Sequence, residues 1–292
     1  MNLVPNGVRA LCWSMAALVL LLSIFCAGWS WLRRRIPAVQ SSQPSYLVLL
    51  CLGTFLLGSS IIPFTWQEPM QRHVLDVGCM LHTWLLSIGF STAFSALVCK
   101  TFRIRRVVHS ARAFRRLAVV ASDVVWVPAL VFGLNLTLLV AWTFVGPLHW
   151  DRITLEEDVF GRTTKSRGTC YTFQENKAGI VFGSLLVLVN LLAFLMAGYQ
   201  SFKSRNLPTV FNESFYMTVT ICIIVEAILI GLPIMVVVQA NTIAFMVIGS
   251  WLVTVAALAV LIPLFWPKIV GRYIRQEISS SLNLSSSRQH LW

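Results

Sequence analysis

The stretch CMLHTWLLSIGFSTAFSALVCKTFRI, residues 79–104, opens on a cysteine and closes on a Lys-Thr-Phe-Arg run. Between those ends the residues are apolar or small, and His82 is the one ionisable group. About 20 such residues, at roughly 1.5 Å rise each, match the ~30 Å hydrocarbon layer of a bilayer. The same pattern recurs along the chain. Seven apolar runs cover 11–31, 46–66, 77–99, 124–145, 178–199, 215–238 and 242–266. Hydrophobic residues make up 57% of the 292 and charged residues 12%, about half the ~25% charged share of a soluble domain. Barrel strands would be shorter and alternate. The reading is an all-α membrane protein, a bundle of seven transmembrane helices.

The flanks set the expected orientation. Lys and Arg gather in the first, third and fifth loops and in the tail, while the long fourth loop carries equal numbers of acids and bases. By the positive-inside tendency, the amino terminus is expected outside and the carboxyl terminus in the cytoplasm. The first run is too long for a signal-peptide core and lacks a small-residue cleavage site, so it reads as a retained span. The domain reading is a short outer segment over 1–10, the bundle over 11–271 and a serine-rich cytoplasmic tail over 272–292, expected to lack regular structure. The net charge of +12 then reports topology, and no soluble basic domain is left to bind nucleic acid.

Five cysteines, Cys12, Cys26, Cys51, Cys99 and Cys222, fall inside spans and read as small hydrophobes. Cys79 and Cys170 lie at the outer side, where a bridge is chemically permitted. It is expected to tie the long outer loop to the third helix. Thr83, Ser87, Ser91 and Ser95 form a small-residue stripe that lets helices approach closely. Beyond the third span, Arg105, His109, Arg112 and Arg116 recur at helical spacing opposite Val107, Val108, Ala111, Phe114 and Ala118. That pattern is a basic amphipathic helix suited to anionic headgroups.

Cys-x-x-His-Thr-Trp followed by GFSTAF and KTFRI (79–104), RNLPTVFNE (205–213) and IPLFWPKI (262–269) resemble, in order and spacing, motifs of class C G-protein-coupled receptors. The metabotropic GABA receptor branch is the most similar. The likeness covers roughly residues 40 to 270. It implies a plasma-membrane receptor that activates a heterotrimeric G protein, in a homodimer or a heterodimer with another class C receptor. It also implies an ionic lock between Lys100 and Glu213, and a G-protein- and lipid-facing surface built from Arg103, Arg105, Arg106, Arg112, Arg115, Arg116, Pro267 and Lys268. His82 stands where members usually carry Arg. The large bilobed extracellular ligand-binding module of such receptors does not occur in these 292 residues.

His82, Trp84 and Glu226 are expected to line one transmembrane pocket, because an ionised carboxylate in hydrocarbon is costly and should face the bundle. Other functions fare worse. Intramembrane catalysis needs paired acids, a zinc box or a serine with its base, and His82 and Glu226 are the ionisable groups within the spans. The chain therefore reads as a non-enzyme with no metal and no cofactor, and the last span lacks the lysine that a retinal Schiff base needs. A seven-span transporter or channel is the alternative, against which the absence of repeated halves argues.

Overall fold

A computed structural model describes residues 4–35, 44–112, 122–157, 163–171, 178–204 and 213–289. Through these residues run seven α-helices: α1 (Asn6–Leu32), α2 (Pro44–Phe64), α3 (Arg72–Arg112), α4 (Ser122–Val145), α5 (Ala178–Ser204), α6 (Glu213–Val237) and α7 (Thr242–Gln289). Six contain stretches long and apolar enough to cross a membrane, and α4 contributes the shorter apolar stretch Ala129–Val145. Their order and approximate bounds follow the seven runs. This is a multi-pass membrane bundle.

Its surface is arranged for lipid. Val187, Leu188, Leu191, Leu192 and Leu195 of α5 and Leu229, Ile230 and Leu232 of α6 are all exposed, which in water would mark an interaction or aggregation surface. The helices differ sharply in how far they are enclosed: 67% of the apolar stretch of α3 is buried, against 17% for α6. So α3 is the central post of the bundle.

The tightest packing is between α2 and α3. A Cβ on Gly53 would come within 2.5 Å of the Ala93 amide nitrogen, and one on Gly89 within 2.7 Å of that of Leu57. Glycine at both places lets the two backbones meet, as small residues do in membrane helix pairs. The serine stripe of α3 contributes less than expected to this approach; Ser91 bonds back to the Ile88 carbonyl, and Ser87 faces α4 and α5. Below this contact Leu47, Leu50, Phe94, Ile224, Leu261 and Leu264 form the main apolar core. Two buried hydroxyls beside it find partners within the bundle, Ser23 against Thr54 at 3.1 Å and Thr101 against the Leu97 carbonyl at 2.9 Å.

A short 3₁₀ turn, Val238–Ala240, joins α6 to α7. There Asn241 caps α7, its Oδ1 accepting from the backbone N–H of Ile243 (3.2 Å) and Ala244 (3.3 Å).

Three features differ from the sequence reading. The long loop between the fourth and fifth runs holds an antiparallel hairpin, β1 (His149–Glu157) paired with β2 (Thr163–Tyr171), in a register that sets Trp150 opposite Cys170. The basic segment after the third span continues α3 to Arg112 instead of starting a separate helix, because no proline or glycine interrupts the sequence there; residues 113–118 lie outside the described residues. The serine-rich tail is helical to Gln289, since no proline follows Pro267 and Arg, Gln, Glu and Leu, all good helix formers, are interspersed with the serines.

Candidate transmembrane cavity and its outer clasp

Polar side chains collect at the amino-terminal end of α3, and the sequence puts them there at helical spacing: Arg72, Asp76, Cys79 and His82 fall on successive turns. Cys79 is bonded to Cys170 of β2, with Cα atoms 5.7 Å apart and a sequence separation of 91. One turn earlier, Asp76 accepts from the Trp150 amide at 2.6 Å and lies 3.7 Å from His149 Nδ1. Arg72 lies 3.7 Å from Asp151. In the connection between α2 and α3, Glu68 pairs with Arg152 at 2.7 Å, and Arg152 also donates to Ser166 on the opposite strand at 2.9 Å. One covalent bond and a ladder of charged contacts thus fasten the hairpin to α3 and the turn before it. The Trp150 indole lies across Gly168, where any Cβ would strike the ring.

Beneath the hairpin is a cavity of about 220 Å³, walled by Phe64 of α2, Gly78, His82 and Thr83 of α3, and Thr242 and Phe245 of α7. His82 Nδ1 donates to the Ser60 carbonyl at 2.9 Å, and its ring stacks on Phe64 with centroids 4.8 Å apart. A carbonyl only accepts, so this bond fixes the ring proton on Nδ1.

Of the three residues expected in one pocket, only His82 is there. Trp84 turns towards α4, where its Nε1 donates to Thr143 Oγ1 at 3.1 Å. Glu226 is exposed on α6. The reason is azimuthal: Met217, Thr220, Ile224 and Ala227 are the buried stripe of α6, and a residue two places beyond Ile224 sits about 200° around the helix. Glu226 therefore faces away from the bundle.

At the other end of α3, Lys100 is buried, as is Lys268 of α7. Glu213 is the first residue of α6, and its pairing with Lys100 lies outside the described residues. Arg103, Arg105, Arg106 and Arg112 belong to the extension of α3; Arg115 and Arg116 lie outside the described residues. Pro267 is inside α7.

Sequence reasoning missed a polar knot at mid-bundle. Ser87 of α3 donates to Asn135 Oδ1 of α4 at 2.7 Å, and Asn190 of α5 donates to the same oxygen at 3.0 Å and to Ser87 Oγ at 3.2 Å. The available signal was that Asn135 and Asn190 are the only carboxamides in the fourth and fifth apolar runs.

Compared with known proteins, residues 4–268 match the family described as "7 transmembrane sweet-taste receptor of 3 GCPR". Metabotropic glutamate receptor-like protein H of Dictyostelium discoideum is 26% identical over 277 residues, covering 90% of this chain and 33% of that protein. Gamma-aminobutyric acid type B receptor subunit 2 of Homo sapiens is 24% identical over 187 residues, covering 63% of this chain and 20% of that one. The subunit 2 of Caenorhabditis elegans is 23% identical over 245 residues, 80% of this chain and 27% of the relative. The chain thus spans a third or less of the length of these relatives.

Proposed function

This chain belongs to the seven-transmembrane class C receptor family, and on that premise we propose that it is the membrane-spanning, signal-transmitting unit of a plasma-membrane G-protein-coupled receptor. The observation that carries the reading is the fastening of the hairpin to α3, the most enclosed helix. From Arg72 to Arg112 α3 is 41 residues without a break, a rod of about 60 Å. A displacement of the hairpin is handed through Cys79 and Asp76 to that rod, and arrives at Lys100 and the basic extension beyond it. The outer cavity is about 220 Å³, below the roughly 300–1,000 Å³ of small-molecule sites. The signal therefore enters through the hairpin rather than through a ligand seated under it.

In this reading the hairpin is extracellular and both the α3 extension and the end of α7 are cytoplasmic. Arg103, Arg105, Arg106, Arg112, Arg115 and Arg116, with Pro267 and Lys268, form the surface a heterotrimeric G protein meets. A Lys100–Glu213 pair holds the inner ends of α3 and α6 together at rest, and the receptor works as a homodimer or a heterodimer with another class C receptor. The protein catalyses no reaction. The test is resonance energy transfer between Gα and Gβγ in cells expressing the chain at verified surface density, over a panel of Gα classes. Dissociation above mock-transfected cells for at least one class is the expected result. No response from any class, together with solute uptake or an ionic current, would replace the receptor with a transporter or channel.

A further inference from the structure

A second, larger hollow lies on the membrane side of the bundle, between α2, α3 and α4, and has no part in the reading above. Its volume is about 590 Å³, inside the roughly 300–1,000 Å³ range of small-molecule sites. Its floor is the α3 stripe Val77, Leu81, Trp84, Leu85 and Ile88, which runs about 16 Å along the helix axis. Val77 and Leu81 are exposed, so the hollow opens sideways to the hydrocarbon layer.

The polar atoms along this floor are already engaged. Trp84 Nε1 donates to Thr143, Thr143 Oγ1 donates to the Leu139 carbonyl at 2.8 Å, and Met80 Sδ accepts the Leu148 amide. Water needs two to four polar partners to stay in such a space, and the floor offers none. An alkyl chain is its complement.

The rim is the opposite. His73, Asp76 and His149 stand at the outer end of the hollow, and Arg72 precedes His73 on the same turn. Among the described residues no set of three His, Cys, Asp or Glu side chains is placed to hold a metal ion. The rim instead offers one carboxylate and two imidazoles, with the Arg72 guanidinium just beyond it, 3.7 Å from Asp151, which suits a group carrying both charges.

We propose that this groove is a binding site for a bilayer phospholipid with an ammonium-bearing headgroup, one acyl chain lying along Val77–Ile88, the ammonium on Asp76 and the phosphate towards Arg72 and His73. An N–H-bearing ammonium donates to the carboxylate, whereas a quaternary one attracts it only by charge, so phosphatidylethanolamine is preferred over phosphatidylcholine, and both over phosphatidylglycerol.

The probe is phosphatidylethanolamine with a photoreactive acyl chain, incorporated into nanodiscs holding the full chain, with cross-links mapped by peptide mass spectrometry. Cross-links should concentrate on residues 77–88. Unlabelled phosphatidylethanolamine should compete about fivefold better than phosphatidylglycerol, the ratio expected of one charge-assisted bond at a wet rim. Leu81→Trp fills the groove from an exposed position and should remove these cross-links while leaving those on α5 and α6. Asp76→Asn keeps the acceptor for the Trp150 amide and should erase the headgroup preference with the cross-link position unchanged. Cross-links spread evenly over the lipid-facing helices and indifferent to Leu81→Trp would mean annular lipid only, and would overturn the site. Equal competition by all three headgroups would overturn the assignment of the rim.

Discussion

Asn135 Oδ1 accepts two hydrogen bonds from two other helices, and the side chain is fully buried. Replacing it with leucine takes the acceptor from the Ser87 hydroxyl, in a medium that offers no water, and leaves the Asn190 amide with only Ser87 and the Leu186 carbonyl. Interhelical hydrogen bonds in membrane proteins are worth about 0.6 kcal/mol on average and up to about 1.7. Asn135→Leu should therefore lower stability by roughly 1–3 kcal/mol, read as a fall in the thermal midpoint of the purified chain. Adding Ser87→Ala should cost less than on its own, because the partner is already gone. Cys170→Ser removes the bridge that closes a 91-residue separation, for which the chain-entropy model gives about 4–5 kcal/mol. Non-reducing peptide mapping should find Cys79–Cys170 linked in the natural chain; two alkylatable thiols there would contradict the fold described. At this scale the sequence was uneven as a guide. The bridge was legible because Cys170 alone stood outside the apolar runs and Cys79 sat at the very start of the third run, on the same expected side of the membrane. The direction of Glu226 was not, because α6 is apolar on every side and nothing in its own pattern separates lipid face from bundle face. That choice is made by the neighbours it packs on. For the same reason Trp84 was assigned to the wrong space.

Among the helices, the α2–α3 contact is where a single methyl matters most. Gly53→Ala puts a Cβ against the Ala93 backbone, which cannot yield as a side-chain end can, so the helices must part and the packing below them loosens. Overpacking of this kind costs about 1–3 kcal/mol or more, expected as a marked loss of folded material in fluorescence-detected size-exclusion chromatography. Gly28→Ala is the control: nothing lies within 4 Å of its Cβ position, and alanine should be neutral or gain up to about 1 kcal/mol of helix preference. If both variants behave alike, the close approach is wrong. Helix existence and order were readable here because hydrocarbon thickness dictates span length. The hairpin was not, because its strands and the intervening turn carry eight charged residues, a loop-like composition, and its pairing is stabilised by α3 rather than by its own apolar face. The extension of α3 to Arg112 was seen as helix but not as the same helix, since charge patterning marks a membrane boundary and says nothing about whether the backbone continues through it.

For the whole molecule, the proposed lock makes the sharpest functional prediction. Glu213→Gln and Lys100→Gln should each raise basal G-protein activation, and the charge-swapped double variant should bring it back towards the natural level. Lys100 is buried, and a difference of only about 1 kcal/mol between the two states already changes a two-state population roughly fivefold. Unchanged basal activity in both single variants at equal surface expression would remove the lock. Glu226 poses a different requirement. An acid on the outward face of a membrane helix needs a partner or a proton, so Glu226→Leu should alter association between chains without disturbing the bundle, measured as energy transfer between differently tagged copies at matched density.

The clasp between hairpin and α3 also sets a clock for biosynthesis. Cys79 leaves the ribosome 91 residues before Cys170, and at about 5–20 residues per second that interval is roughly 5–20 s. With the orientation proposed above, α3 and α4 must enter the bilayer throughout that interval with an unpartnered thiol exposed to the oxidising lumen. A chain stalled in that window can couple to the wrong cysteine, and the hairpin, once made, has to arrive at a helix already in place. Pulse-labelling should show the oxidised form only after that lag, with mixed disulfides to a luminal oxidoreductase trapped on Cys79 before it.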